Sequence, residues 1–256
     1  MKLRISVLSF FILVITQPNI YSQNKLVTFS ENYQSAFWTG ISCHIDMAAD
    51  DCYPSNSLKN RLNDSDLNWG TGNFSGAIGF RVNRFGLRIE GLSGSSASEY
   101  NTTSSGTNYT GPIAKENRRH SMLLGSFDLL NINEVRCIIY GGKGAFKSEI
   151  TNKAKDHSTT IQLNDYAYGY EVSYDYWMDI KYSPNDSIPI WRGPTIVQES
   201  YFIDSKPKLT RAMLSIGYSI GAANSLKISL LCGVSIFKVD GHFTSRGLLL
   251  SLRFNR

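Results

Sequence analysis

Residues 166–176 read YAYGYEVSYDY, and the side chains of this stretch alternate strictly in character. Every second position carries Tyr or Val, whereas the positions between them carry Ala, Gly, Glu, Ser and Asp. In a β-strand, successive side chains point to opposite faces of the sheet. The stretch therefore predicts a strand with one large apolar face and one small or polar face, which decides the fold class.

The same alternation recurs along the chain. It is clear at 211–221 and 244–254, and weaker at 36–46, 73–82, 85–93, 119–130, 135–146, 188–202 and 226–237. The segment 188–202 is the weakest of these, because Pro189 and Pro194 each remove a donor from a strand ladder. We expect an all-β antiparallel fold of about ten strands, with eight as the lower count.

The lengths of the connections indicate how these strands are joined. Long polar stretches at 48–72, 94–118 and 147–164 alternate with tight joins such as Asn83-Arg84 and 222–225. An up-and-down barrel with both termini on one side has this rhythm, with long loops outside the cell and short turns in the periplasm. The pattern therefore favours a closed barrel over an open sheet.

Alternation alone leaves open which face of the barrel meets the solvent. A soluble barrel turns its apolar face inward around a ligand, whereas a membrane barrel turns it outward against lipid. Here the polar face is mainly Gly, Ser and Ala, and Lys143 is the main charge on the apolar face. This favours a transmembrane barrel. The alternative is a secreted soluble barrel that binds a small apolar ligand.

Residues 244–254 (TSRGLLLSLRF), together with the strand pattern over nearly all of the chain, resemble the small bacterial outer-membrane β-barrel proteins of the opacity-protein-like group. In that group the barrel-assembly machinery reads an aromatic residue at the end of the last strand. Here Phe254 matches it, and Asn255 and Arg256 follow. The resemblance implies location in a Gram-negative outer membrane, exposed surface loops and often no enzymatic activity.

The N-terminus predicts export. A basic start, Lys2 and Arg4, precedes an apolar run at 5–15 and a polar stretch that ends at Ser22. This is the layout of a signal peptide, and the apolar run is too short to span a bilayer. We expect a signal peptide at 1–22 and a barrel domain at 23–256.

Composition narrows the function further. Lys+Arg 26 against Asp+Glu 21 gives a net charge of +5, without the basic run that would mark a nucleic-acid binder, so we expect no nucleic-acid partner. The spacings of the four cysteines match no zinc site. Cys43 and Cys52 are near enough in sequence to close one loop by a disulfide, whereas Cys137 and Cys232 are expected to be free thiols.

The charges on the polar faces of the strands predict an ion network inside the barrel. Its expected members are Arg81, Arg88, Glu90, Arg136, Glu171, Asp175, Lys227 and Arg253. The basic residues are expected toward the periplasmic half. Small barrels fill with side chains and buried charges pair with each other, so a plug is favoured. A narrow anion-selective path is the other interpretation.

The histidines do not predict catalysis. His120-Ser121 and His157-Ser158 would suit an outer-membrane hydrolase, but neighbours on a strand face opposite sides and cannot act as a pair. We predict no catalytic, metal-binding or cofactor-binding residue, and keep a hydrolase as an alternative. The expected role is structural, surface or adhesive. The expected partners are outer-membrane lipid, the barrel-assembly machinery during biogenesis and a surface ligand bound by the long loops.

Overall fold

The computed structural model describes residues 39–65, 67–99, 102–104, 107–109, 112–132, 135–152, 155–183, 186–222 and 226–255. The predicted signal peptide at 1–22 and the predicted domain start at residue 23 lie outside this range. Cleavage after Ser22 therefore stays a prediction.

Twelve strands and one short helix make up the described chain. In chain order they are β1 (Thr39–Pro54), α1 (Asn56–Arg61), β2 (Trp69–Val82), β3 (Phe85–Glu99), β4 (Thr102–Ser104), β5 (Thr107–Tyr109), β6 (Pro112–Ile132), β7 (Val135–Asn152), β8 (His157–Ser183), β9 (Asp186–Ile203), β10 (Leu209–Ala222), β11 (Lys227–Val239) and β12 (Phe243–Asn255). No helix in the described part of the chain is long and apolar enough to cross a membrane.

Ten of these strands close into one antiparallel barrel. Each barrel strand pairs with its neighbours in sequence, and β1 pairs with β12, with Cys43 opposite Phe254. The short strands β4 and β5 pair only with each other, between β3 and β6. The prediction of a ten-stranded, up-and-down antiparallel barrel is confirmed.

The strands are longer than their alternation predicted. The stretches 48–72, 94–118 and 147–164 were expected as long loops, but β1, β3, β6, β7 and β8 run far into them. Those parts of the strands no longer show a large apolar face, because they extend past the apolar band. Backbone pairing continues there without the pattern by which a lipid-facing strand is recognised.

The two ends of the barrel differ. Strands β2 and β3 are joined by residues 83–84 at the end where β1 begins and β12 finishes, and the longer connections 55–68 and 100–111 lie at the opposite end. Short turns face the periplasm in outer-membrane barrels, so the longer connections lie outside the cell. Strand β8 starts ten residues before Ala167, which is opposite the last residue of β9, Ile203. This side of the barrel therefore forms a tall extracellular wall.

Side-chain exposure shows which face of the barrel meets lipid. Large apolar residues point outward, among them Leu248 (73% exposed), Tyr166 (70%) and Phe85 (68%), whereas Glu90 (1%) and Glu199 (0%) are buried inside. Water would disfavour so much exposed apolar area, and a bilayer favours it. The transmembrane orientation is confirmed, the soluble alternative is wrong, and the protein is an outer-membrane β-barrel.

Candidate functional site

The lumen is the candidate functional site, because the strands turn their charged side chains into it. The eight residues predicted for a lumen network fall into three groups. Arg88, Glu90, Glu171 and Arg253 meet in a central cluster, Lys227 pairs with Asp175, and Arg81 and Arg136 share a partner that the sequence did not single out.

The central cluster is organised around a fifth residue, Glu199. Arg253 Nη2 lies 2.8 Å from Glu199 Oε2, and Arg88 Nη1 lies 3.2 Å from Glu199 Oε1. Arg88 Nη2 also lies 3.1 Å from Glu90 Oε2, and Arg253 Nη1 lies 3.8 Å from Glu171 Oε2. Arg253 thus contacts two carboxylates and Arg88 contacts three, since Glu171 also lies 3.6 Å from Arg88 Nη1, and these contacts join strands across the lumen.

Further residues extend the central cluster toward the extracellular end of the lumen. Arg211 forms an ion pair with Glu90 and lies 3.7 Å from Asp46. His44 contacts both Asp46, at 3.5 Å, and Arg88, at 3.1 Å. The Arg88 guanidinium carbon also lies 5.3 Å from the centroids of two tyrosine rings, Tyr140 and Tyr201, which is within cation–π distance.

The periplasmic end of the lumen holds the remaining predicted residues. Lys227 Nζ lies 2.6 Å from Asp175 Oδ2. Arg81 Nη1 lies 2.6 Å from Asp128 Oδ2, and Arg136 Nη2 lies 3.0 Å from Asp128 Oδ1. A cavity of about 80 Å³ lies between this end and the central cluster, which is room for only a few water molecules.

A second charged layer fills the extracellular half of the lumen around Glu116. Arg118 donates to Glu116 from Nε and Nη2, both at 2.9 Å. Trp69 Nε1, Thr71 Oγ1 and Ser148 Oγ donate to the same carboxylate at 2.8, 3.1 and 2.7 Å. Every one of these side chains is fully buried or nearly so. One carboxylate therefore links three strands, β2, β6 and β7, in the extracellular half of the lumen.

A cap formed by residues 55–65 and Leu67 covers this layer from outside. Leu58, Leu62 and Leu67 belong to the apolar core cluster and are buried. Ser55 begins helix α1: its Oγ accepts from the Leu58 amide at 3.2 Å and donates to the Gly241 carbonyl at 2.7 Å. The cap is thereby fixed to the turn between β11 and β12. Partial burial, with a smaller contribution from Arg61, lowers the pKa of His242 in that turn.

The histidines of the two His-Ser pairs lie in different surroundings. His120 points inward and is buried, whereas Ser121 points outward, as predicted from the alternation. His157 contacts the Lys155 carbonyl at 2.7 Å, on the extracellular side. His44 has a carboxylate neighbour but is buried within the central cluster. Among the described residues, no group of three His, Cys, Asp or Glu side chains is placed to hold a metal ion.

The predicted disulfide between Cys43 and Cys52 is wrong. Both thiols are free, and both lie on β1, nine residues apart. An extended strand rises about 3.3 Å per residue, so their Cα atoms are about 30 Å apart. A disulfide needs Cα atoms within about 7 Å. The error arose because the segment between them was predicted as a loop and is a strand.

Sequence reasoning missed nearly as many charged lumen residues as it found. The missed members are Asp46, Asp50, Glu116, Arg118, Asp128, Glu199 and Arg211. Most lie where the strands were predicted too short or, as for Glu199, on the weakest predicted strand. One signal was available: Glu116, Arg118 and His120 continue the inward-facing positions of β6 with a period of two.

The chain is similar to known proteins only when it is compared with solved structures. No protein-family model and no curated protein matches the chain. Among solved structures, it is similar to the transport unit of the autotransporter AIDA-I from Escherichia coli (11% identity, 90% of this chain and 93% of that one, TM-score 0.41). It is also similar to Ail, the attachment invasion locus protein of Yersinia pestis (13%, 85% and 99%, 0.35), and to the outer membrane protease OmpT of Escherichia coli (8%, 88% and 99%, 0.39).

Proposed function

We propose that this protein is a non-conducting outer-membrane barrel with a structural, surface or adhesive role, performed by its extracellular side. The observation that carries this proposal is the filling of the lumen by two charged layers and an apolar cap. The central cluster around Glu199 lies below the layer around Glu116, and Leu58 and Leu62 of the cap lie above both. Side chains thus obstruct the lumen at three levels.

The charges inside the lumen favour a plug over an anion path. In the central cluster three arginines face four carboxylates: Arg88, Arg211 and Arg253 face Asp46, Glu90, Glu171 and Glu199. An anion entering this cluster would meet guanidinium groups already paired with carboxylates. Removing an anion from water without a free partner is strongly unfavourable.

The tall extracellular wall supports a surface role. Strands β6, β7 and β8 carry exposed polar side chains beyond the apolar band, including Lys115, Glu149 and Thr160. Rigid strands that present polar side chains to the outside offer a pre-organised binding surface. The proposal assigns no catalytic step to this surface. It includes insertion by the barrel-assembly machinery, guided by the last strand, β12, and its Phe254.

Conductance across a planar lipid bilayer tests the sealed lumen. We expect the wild-type protein to give no steady channel. The comparison variant removes equal numbers of cations and carboxylates, with Arg88, Arg253, Arg118, Glu171, Glu199 and Glu116 changed to Ala, and it opens the cap by changing Leu58 and Leu62 to Ser. If this variant still folds, as shown by a heat-modifiable gel shift, it should conduct. Steady anion current through the wild type would show that the lumen is a path.

Attachment assays test the surface role. Bacteria that display the wild type are compared with bacteria that display a variant in which residues 100–111 are replaced by a short Gly-Ser connection. If this hairpin region contributes to adhesion, attachment to host cells falls while the amount of surface barrel stays unchanged. Equal attachment of the two strains and of cells without the protein would leave a structural role as the remaining part of the proposal.

A further inference from the structure

The lipid-facing wall carries a depression toward the extracellular side of the apolar band. Four small residues in one lateral row form its floor: Gly76 is opposite Gly91, Gly91 is opposite Ser121, and Ser121 is opposite Ala145. The depression has a volume of about 720 Å³. Neighbouring outward positions on four adjacent strands thus all lack a large side chain.

The fold itself does not require glycine at the centre of this row. A Cβ atom added at Gly91 would have no atom within 4 Å, and one added at Gly76 would meet only the His44 carbonyl oxygen, at 3.5 Å. By contrast, a Cβ at Gly217 on the other side of the barrel would lie 1.9 Å from the Leu230 carbonyl oxygen. Packing therefore explains Gly217, whereas it leaves room for a side chain at Gly76 and Gly91.

The rows above and below the depression differ in chemistry. On the periplasmic side, Ile78, Ile89 and Leu123 form a continuous exposed apolar row. On the extracellular side, Arg119 is directly opposite Lys147, and both line the depression. Two like charges directly opposite each other across strands are destabilising. Glu149 contacts Lys147 at 2.6 Å and interacts with Arg119 only at longer range, since Arg119 forms no ion pair within 4.0 Å with any residue the structure describes.

We propose that this depression binds a phosphate-bearing lipid of the outer leaflet. Its phosphate lies against Arg119 and Lys147, and one acyl chain lies over Gly76, Gly91 and Ser121 and continues along Ile89 and Leu123. A phosphate supplies Arg119 with a direct anionic partner, and arginine binds phosphate through two donors at once. The apolar row supplies the surroundings that an acyl chain needs. This site is on the outer wall and is independent of the sealed lumen.

Native mass spectrometry of the full barrel, refolded in an uncharged detergent, tests the site. The probes are dilauroyl phosphatidic acid and dilauroyl phosphatidylcholine. We expect the wild type to retain phosphatidic acid about tenfold or more over phosphatidylcholine, since each basic residue contributes about a factor of five near an anionic lipid. The double variant Arg119→Gln/Lys147→Gln should lose this preference. Gly91→Leu, which fills the depression, should lower retention of both lipids.

A matched pair of charges on the opposite wall serves as the control. Lys238 and Arg246 are also exposed, outward-facing strand residues, but Lys238 contacts Asp240 at 2.7 Å and Arg246 is directly opposite Asp51 of β1, whereas Arg119 is directly opposite another cation. The variant Lys238→Gln/Arg246→Gln should keep the full preference. Folding of every variant is checked by its heat-modifiable gel shift, so loss of lipid is separated from loss of structure.

Three results would overturn the proposal. Equal loss of preference in both double variants would show that basic residues act only through total charge. Unchanged retention in Gly91→Leu would show that the depression takes no chain. If inorganic phosphate at constant ionic strength removed the bound phosphatidic acid, the cations would form a site for a free anion and not for a lipid.

Discussion

The two charged layers of the lumen provide partners for their buried charges in different ways. In the upper layer a single carboxylate, Glu116, accepts hydrogen bonds from Arg118, Trp69, Thr71 and Ser148, and an apolar cap covers it. In the central layer the arginines each contact more than one carboxylate, and the carboxylates outnumber them. The upper layer depends on one residue, whereas the central layer distributes its charge.

This difference indicates how each layer responds to the loss of a charge. Buried ions are strongly destabilising when a partner is removed and not replaced. Arg118 has one other carboxylate nearby, Asp50 at 3.9 Å. Arg88 and Arg253, by contrast, keep Glu90 and Glu171 when Glu199 is neutralised. The upper layer should therefore be the more sensitive of the two.

The largest effect is expected for Glu116→Gln. The substitution leaves the Arg118 guanidinium buried without its main partner, and we expect a loss of about 3 kcal/mol in the free energy of unfolding. The measurement is the urea midpoint of the barrel in detergent micelles. Glu149→Gln is the matched control, because Glu149 lies on the same wall but faces outward and is exposed; it should change stability by less than about 1 kcal/mol.

A smaller effect is expected for Glu199→Gln. Neutralising this residue leaves three carboxylates for three arginines in the central cluster, and the amide can still accept a hydrogen bond. We expect a loss of roughly 1–2 kcal/mol in the same urea measurement. If Glu199→Gln destabilises the barrel as much as Glu116→Gln does, the distinction between the two layers is wrong.

The smallest effect is expected for Ser55→Ala, which acts on the cap. Loss of the side-chain oxygen at the start of α1 removes a hydrogen bond to the Leu58 amide and one to the Gly241 carbonyl. An N-cap serine contributes about 1 kcal/mol. Because the cap can open locally while the barrel stays folded, we expect faster tryptic cleavage after Lys59 or Arg61 with an unchanged urea midpoint. Ser65→Ala is the control on the same connection and should leave the cleavage rate unchanged.

The lipid-facing part of each strand could be predicted from the sequence because a bilayer imposes an alternation of large apolar and small residues. Tyr166 and Tyr168 point outward and Ala167 points inward, as predicted. Beyond the apolar band this requirement ends, so the extracellular parts of β1 and β6 resembled loops in the sequence. The false disulfide of Cys43 and Cys52 came from that limit.

The candidate site was only partly predictable for a related reason. Period-two alternation predicts that Arg88 and Glu90 share the inner face, but it does not predict which residue of a distant strand lies across the lumen from them. Glu199 is more than one hundred positions from Arg88 in sequence, and their contact depends on the register around the closed barrel. The depression at Gly91 likewise becomes visible only when four strands are placed side by side.

The most direct test of the account is a scan of single cysteines through residues 166–175 in a cysteine-free background. Each is labelled with a fluorophore and reconstituted in bilayers that contain a lipid-borne quencher. The account predicts quenching that alternates along the strand, strong at Tyr166, Tyr168 and the following even positions, and weak at Ala167, Gly169 and the following odd positions. Uniform quenching, or the opposite alternation, would contradict a barrel with its apolar face on lipid and its charges inside.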